Sequence, residues 1–198
     1  MIPILILAAG SSSRMRGGDK LLEQVNGEPL IRLQAKRALR TGCPVYVALA
    51  PGLDARADAL ADLDVTILST PEATEGMSGT MRSAVAQLPD APAFMMFLGD
   101  LVALETEDLM RIMRARKDQP DYLIWRGATT TGKPGHPIIF DASLRPEFAK
   151  LQGDGGGETL VNPLRDRTYL VRFDDDRARL DLDTPEDWAA WRGSLPKE

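Results

Sequence analysis

The sequence predicts an α/β fold with a mostly parallel central sheet and helices on both faces. Three features predict it. Short apolar runs recur along the chain, helix-like segments separate them, and two runs, "PILILAA" and "AFMMFLG", are hydrophobic without alternation. Strands alternating with helices favour a parallel sheet, and a continuously apolar strand is one covered on both sides. The 198 residues suit one domain spanning 1–198 and can bury their own core.

The elements follow in order. Ile2–Ala8 reads as the first strand, stopped by Ala9-Gly10. "PLIRLQAKRALRTG" (29–42) reads as a helix, with proline at its start and glycine at its end. Val45–Ala50 is a strand, "LDARADALADL" (53–63) a shorter periodic helix, and Val65–Leu68 a strand. "SGTMRSAVAQL" (78–88) is helical and Phe94–Leu98 a strand. "TEDLMRIMRARK" (106–117) carries acids early and bases late, which complements a helix dipole. Tyr122–Trp125 is a strand. "RGATTTGKPGHPIIF" is polar and glycine-rich before regaining a strand, with a turn at Gly135-His136-Pro137. "LQGDGGGETLVNPL" is a glycine loop entering a short helix, and "TYLVRF" and "RLDLD" read as strands. "TPEDWAAWRG" closes the chain as a helix, with Thr184 as N-cap, Pro185 at the first position and an acid at the third. The second half thus continues one sheet, with an inserted lobe facing the substrate.

Composition narrows the function. The net charge is -5 with a pI near 5.0, which disfavours nucleic acid as the main partner. The single cysteine, Cys43, excludes a disulfide framework and a cysteine metal cluster, and the single histidine, His136, excludes a two-imidazole site. "MIPILILAAG" lacks a basic start and is too short to span a membrane. A cytoplasmic protein in a reducing compartment is expected.

In open parallel sheets ligands sit beyond the carboxyl ends of the strands. "AAGSSSRMRGGDK" follows the first strand. Its small residues, Ala8, Ala9 and Gly10 foremost, let backbone N–H groups approach a phosphate. Arg14 can grip phosphate oxygens in a fork, and Lys20 supplies a movable charge. The stretch contains neither G-x-G-x-x-G nor G-K-[ST]. Asp100 ends the fourth strand in "FLGDL", where a carboxylate is placed either to hold Mg²⁺ against phosphates or to cap the next helix. Asp181 and Asp183 alternate in "RLDLD" and share a face if that strand persists. Gly76, Met77 and Ser78 open a helix after a polar loop, which suits contact with a base or ribose. A lone histidine is usually packed or solvated, and His136 is given no general-base role.

The blocks "LAAGSSSRMRGGDKLL" with "NGEPLI", "EGMSGTMRSAV", "FLGDL", "GKPGHPIIF", "LQGDGGGETLV" and "LDLDTPEDW" together resemble, in order, those of the small nucleotidyltransferases acting on molybdenum cofactor. The cytidylyltransferase branch is the one they resemble most. The resemblance implies a Rossmann-like nucleotidyltransferase fold, transfer of CMP from CTP to the terminal phosphate of molybdopterin, loss of pyrophosphate, and a requirement for Mg²⁺. It further implies that Gly10, Arg14 and Lys20 hold the triphosphate, that Asp100 is the principal metal ligand with Asp181 the second, and that Gly76, Met77 and Ser78 lie near nucleotide or acceptor. A transient contact with a molybdoenzyme or its chaperone belongs to the same expectation. Two positions depart from the family pattern: Arg16 stands where glycine is usual after "RM", and Val102 where proline is usual beyond the metal aspartate. The rival readings are a guanylyltransferase for the same cofactor, a sugar-phosphate nucleotidyltransferase, a binding module without catalysis, and an oxidoreductase.

Overall fold

The first apolar run forms β1 (Ile4–Leu7), and all four residues are buried. Ile4 and Ile6 join the core on one side of the sheet, Leu5 and Leu7 that on the other, as the two-residue period of a strand requires. A computed structural model describes residues 1–153 and 155–194. Asp154, in the glycine loop expected from the sequence, and 195–198, at the end of the expected 1–198 domain, lie outside the described residues.

A two-residue hairpin follows, β2 (Gln24–Val25) against β3 (Glu28–Pro29). Its turn residues Asn26 and Gly27 both have positive φ, at 53° and 80°, as a tight hairpin turn demands. Then come α1 (Leu30–Leu39), β4 (Val45–Leu49), α2 (Asp54–Asp58), β5 (Val65–Ser69), α3 (Met77–Gln87), β6 (Ala93–Leu98) and α4 (Thr106–Asp118). The chain continues through β7 (Ile124–Ala128), β8 (Pro134–Asp141), α5 (Arg145–Phe148), α6 (Glu158–Val161), β9 (Thr168–Arg172) and α7 (Pro185–Ser194).

The main sheet has seven strands in the order β5-β4-β1-β6-β8-β7-β9. Pairings β1 with β4, β1 with β6, β4 with β5 and β7 with β9 are parallel. β8 alone runs against its neighbours, β6 and β7. Its reversal follows from a short loop: Thr129 N–H bonds Lys133 O, and Gly132 turns there with φ 81°. From β1 the chain first builds outward through β4 and β5, then returns to β1's other side with β6. The crevice where the order reverses is the expected ligand position, and Leu7 and Leu98 stand at the strand ends beside it. Side chains of α1, α4 and α7 cover one face of the sheet, and those of α3, α5 and α6 cover the other.

Three local expectations are corrected. α2 stops at Asp58, and tight i to i+3 bonds replace the helix, such as Leu60 N–H to Ala57 O at 3.0 Å. Asp62 would have faced the negative end of the dipole in a helix running to Leu63. Gly135-His136-Pro137 lies inside β8 rather than in a turn, opposite the register shift between Arg126 and Ala128. "RLDLD" is not a strand: a 3₁₀ turn occupies Arg177–Arg179, and Asp181 N–H bonds Arg179 O two residues back instead of a neighbouring strand. The α7 start follows the sequence, with Thr184 Oγ1 accepting from Asp187 N–H at 3.1 Å and Asp187 Oδ2 accepting from Thr184 N–H at 2.9 Å.

Close packing sets one glycine requirement. A Cβ on Gly135 would stand 2.2 Å from Ala178 O, whereas one on Gly193 would meet nothing within 4 Å. Gly135→Ala is expected to lower unfolding free energy by about 1–3 kcal/mol. Gly193→Ala, in α7, should leave it unchanged or raise it by up to about 1 kcal/mol. Urea titration of both variants checks the contrast.

Candidate active site

The turn after β1 is built around a buried arginine. Arg56, on α2, is only 1% exposed. Its Nε and Nη2 donate to the Asp19 carboxylate at 2.7 and 2.9 Å, its Nη1 to Ala8 O at 2.5 Å, and its Nη2 also to Ser12 Oγ at 3.1 Å. Ser12 Oγ in turn donates to Asp19 Oδ1 and accepts from Lys20 N–H. One guanidinium therefore ties the loop's start at Ala8 to its end at Asp19. Ser12 and Arg16 are held with φ of 52° and 51°, a region that non-glycine residues enter only when their surroundings impose it. The sequence gives Arg56 only a place on a short periodic helix and no role, because its partners lie 37 or more positions away.

Lys20 stands at the end of this loop and joins two other segments. Its Nζ lies 2.5 Å from Asp100 Oδ2, after β6, and 2.6 Å from Asp183 Oδ1, before α7. Arg14 Nη1 holds the second Asp183 oxygen at 2.7 Å. Burial alone would lower the Lys20 ammonium, but the charges and hydrogen bonds of Asp100 and then Asp183 outweigh it and leave its pKa above the ordinary lysine value. Asp100 Oδ1 is enclosed and has no hydrogen-bond partner. Asp181 makes no hydrogen bond or ion pair with Lys20 among the described residues; burial, and behind it the Asp100 and Asp183 carboxylates, push its carboxyl above the usual range.

The two departures from the family pattern fall in different settings. Arg16 pairs with Glu186 at 2.7 Å, with both side chains exposed, a contact worth little in water. Val102 is buried, and its carbonyl accepts from Arg37 Nη1 at 2.8 Å while Leu101 O accepts from Gln34 at 2.7 Å. These bonds from α1 stiffen the loop after Asp100 without a proline.

A cavity of about 590 Å³ opens between the β1 turn and the start of α3, lined by Ala8, Ala9, Gly10, Lys20, Asp100 and Gly76 among others. Met77 also lines it, whereas Ser78 is buried beneath the helix with its hydroxyl unpaired. A Cβ on Gly79 would stand 2.0 Å from Glu72 O, so α3 begins flush against the 3₁₀ turn Pro71–Glu75. A second cavity of about 260 Å³ shares Leu7, Met77 and Leu98 with the first and contains His136 and Asp181 in its wall. Burial, reinforced by the Arg126 guanidinium, pushes the His136 imidazole down to about 3. His136 is therefore a neutral ring at physiological pH.

Two outcomes follow. Arg56→Met should cost about 3 kcal/mol of unfolding free energy by stranding the Asp19 charge. Arg56→Lys should recover only part, since an ammonium cannot reach all these acceptors. Denaturant melts measure both. His136 binds its proton far less readily folded than unfolded. Its contribution to stability is therefore present above about pH 6.5 and is lost as pH falls from there towards 3. Thermal midpoints measured from pH 7.5 to 5 should fall for the native chain and fall less for His136→Gln.

Comparison with known proteins follows this geometry. Residues 4–168 match the MobA-like NTP transferase domain. The chain is 32% identical over 145 residues to a molybdenum cofactor guanylyltransferase of Rhodopseudomonas palustris, a match covering 69% of this chain and 63% of that protein. A probable molybdenum cofactor guanylyltransferase of Synechococcus elongatus is 30% identical, with 94% and 95% of the two chains covered. Nicotine blue oxidoreductase of Paenarthrobacter nicotinovorans is 27% identical, with 92% of each covered. Among solved structures, Rv0371c of Mycobacterium tuberculosis superposes with TM-score 0.83 at 26% identity, over 98% of both chains. The family match spans most of the chain: this chain belongs to the MobA-like NTP transferase family.

Proposed function

We propose that this protein transfers a nucleoside monophosphate from a nucleoside triphosphate to the terminal phosphate of a molybdopterin-type acceptor, releasing pyrophosphate. The observation that carries this reading is the meeting of Arg14, Lys20, Asp100 and Asp183 beside a cavity floored by a glycine-bearing turn. The guanylyltransferase relatives support GTP as the donor, in place of the CTP that the sequence motifs suggest.

The residues fit a divalent ion, taken as Mg²⁺. Among the described residues there is no preformed group of three or more acidic, histidine or cysteine ligands, and Mg²⁺ does not need one, being commonly held by one or two carboxylates with phosphate oxygens and water. Asp100 would hold it through its unpartnered Oδ1, with Asp183 or Asp181 as second ligand. Once bound, such an ion neutralises phosphate charge. A triphosphate entering the cavity competes with Asp100 and Asp183 for Lys20 and Arg14. Drawn onto the phosphates, these cations offset charge at the α-phosphate and on the departing pyrophosphate. The acceptor phosphate oxygen attacks the α-phosphorus, and the bond to the bridging oxygen of the β-phosphate breaks. That nucleophile is already ionised, so no base is required, in keeping with a neutral His136. Ala8, Ala9 and Gly10 admit the phosphates close to backbone, and Gly76 and Met77 border the base side. No helix among the described residues is long and apolar enough to cross a membrane.

A second reading rests on the oxidoreductase relative. It predicts oxidation of a reduced nicotinamide or flavin, and the first loop lacks the G-x-G-x-x-G pattern that would serve it.

Thermal shift with GTP, CTP, ATP and UTP, each with and without Mg²⁺, tests the proposal, because stabilisation rises with ligand concentration over dissociation constant. GTP with Mg²⁺ should raise the midpoint most. A shift by no triphosphate, together with turnover of a reduced nicotinamide, would replace this reading with the second. Lys20→Ala should slow transfer on the order of 10²–10³-fold, measured as pyrophosphate release.

A further inference from the structure

The second cavity carries charges that the nucleotide does not use. Arg126 and Arg179 both line it. Neither makes an ion pair among the described residues. Each is held by a single carbonyl: Arg126 Nε donates to Gly135 O at 3.0 Å, and Arg179 Nη1 donates to Pro134 O at 2.7 Å. A guanidinium has five N–H donors, so most of theirs are open to solvent or a ligand. Their charges oppose one another: burial first, then Arg179, lowers Arg126 to about 10. Of the acids in the same wall, Glu158 is exposed at the rim and offsets this only in part, and among the described residues neither it nor Asp181 makes an ion pair with these arginines. Arg126 is half-buried beside the exposed Arg179, and an anion bound between them would relieve the repulsion between their charges.

The remaining wall is soft and apolar. Met77, Met81 and Met96 line it, with Phe140 behind them. Thioethers pack favourably against aromatic faces. His136 adds a neutral imidazole whose Nδ1 is enclosed without a partner, able to meet a polar ring edge.

We propose that this cavity is the acceptor site, in which Arg126 and Arg179 grip a phosphate monoester while the methionines hold the flat heterocycle that carries it. The assignment rests on the nucleotidyl-transfer reading and adds the residues that select the acceptor. Guanidinium pairs suit it because each can engage a phosphate in a fork. The shared wall at Leu7, Met77 and Leu98 brings the acceptor beside the nucleotide cavity.

The test is calorimetric titration of three probes: a pterin bearing a methyl phosphate ester, its unphosphorylated counterpart, and GTP with Mg²⁺. Each is titrated into the native chain and into Arg126→Gln, Arg179→Gln and Arg126→Lys. The phosphorylated pterin should bind the native chain more tightly than the free pterin. It should lose about tenfold or more in affinity in either glutamine variant and regain part of the loss in Arg126→Lys, while GTP affinity stays level in all. Equal binding of the phosphorylated pterin to native chain and both glutamine variants, or no preference for the phosphorylated form, would overturn the assignment. Arg179 is exposed, so Arg179→Gln keeps the test valid even if Arg126→Gln folds poorly. Failure of GTP to bind the native chain would instead strike the nucleotidyl-transfer reading.

Discussion

The site depends on one ammonium group. Lys20 draws together carboxylates from positions 100 and 183, which are remote from it and from each other in the chain. Asp100 and Asp183 would repel without a cation between them, and Asp181 adds a third carboxyl nearby. The same charge that assembles these segments is the one a triphosphate would claim. Under the proposed function, assembly and ligand binding would therefore act on the same side chain, with one anion partner exchanged for another.

That balance requires Lys20 to be placed accurately, and the placement comes from outside the loop. Arg56 reaches from α2 to bond Ala8 O, Ser12 and Asp19 together, fixing the backbone on which Lys20 sits. α1 does the same for the opposite wall through Gln34 and Arg37, which bond the carbonyls just after Asp100. Both supports are side-chain bonds from helices: Arg56 reaches the Ala8 carbonyl and the Ser12 and Asp19 side chains, and Gln34 and Arg37 reach backbone carbonyls. The glycine and serine content of the loop consequently does not make it loose, and the absence of a family proline at Val102 has a structural substitute.

The sheet supplies the geometry within which these charges meet. β1 and β6 end side by side with Leu7 paired to Leu98, so the residues that follow each strand face a common crevice. The reversal at β8 brings Arg126, His136 and the Arg177–Arg179 turn towards that crevice from the other direction. Two cavities with distinct chemistry result. One has small residues and a movable cation, and the other has thioethers and two guanidiniums without an ion pair among the described residues.

The sequence by itself determined the α/β class, the order of the main-sheet strands and their helices through α4, the helix starts at Thr106 and Thr184, and the residues after β1 and β6 that carry charge. These are local matters: apolar run length, capping patterns and turn residues act over a few positions, so their physics is written in neighbouring letters. The Asn26-Gly27 hairpin was equally legible in those terms and was missed, as was the hairpin joining β7 to β8. Only the tertiary structure decided that Arg56 is a loop anchor, that Asp183 rather than Asp181 meets Lys20, and that Arg126 shares a cavity with Arg179. Each depends on partners dozens of positions away, and ion pairing has no period by which a sequence could announce it. The "RLDLD" segment shows the reason most plainly: alternation describes a strand only where a neighbouring strand supplies its hydrogen bonds, and here none does.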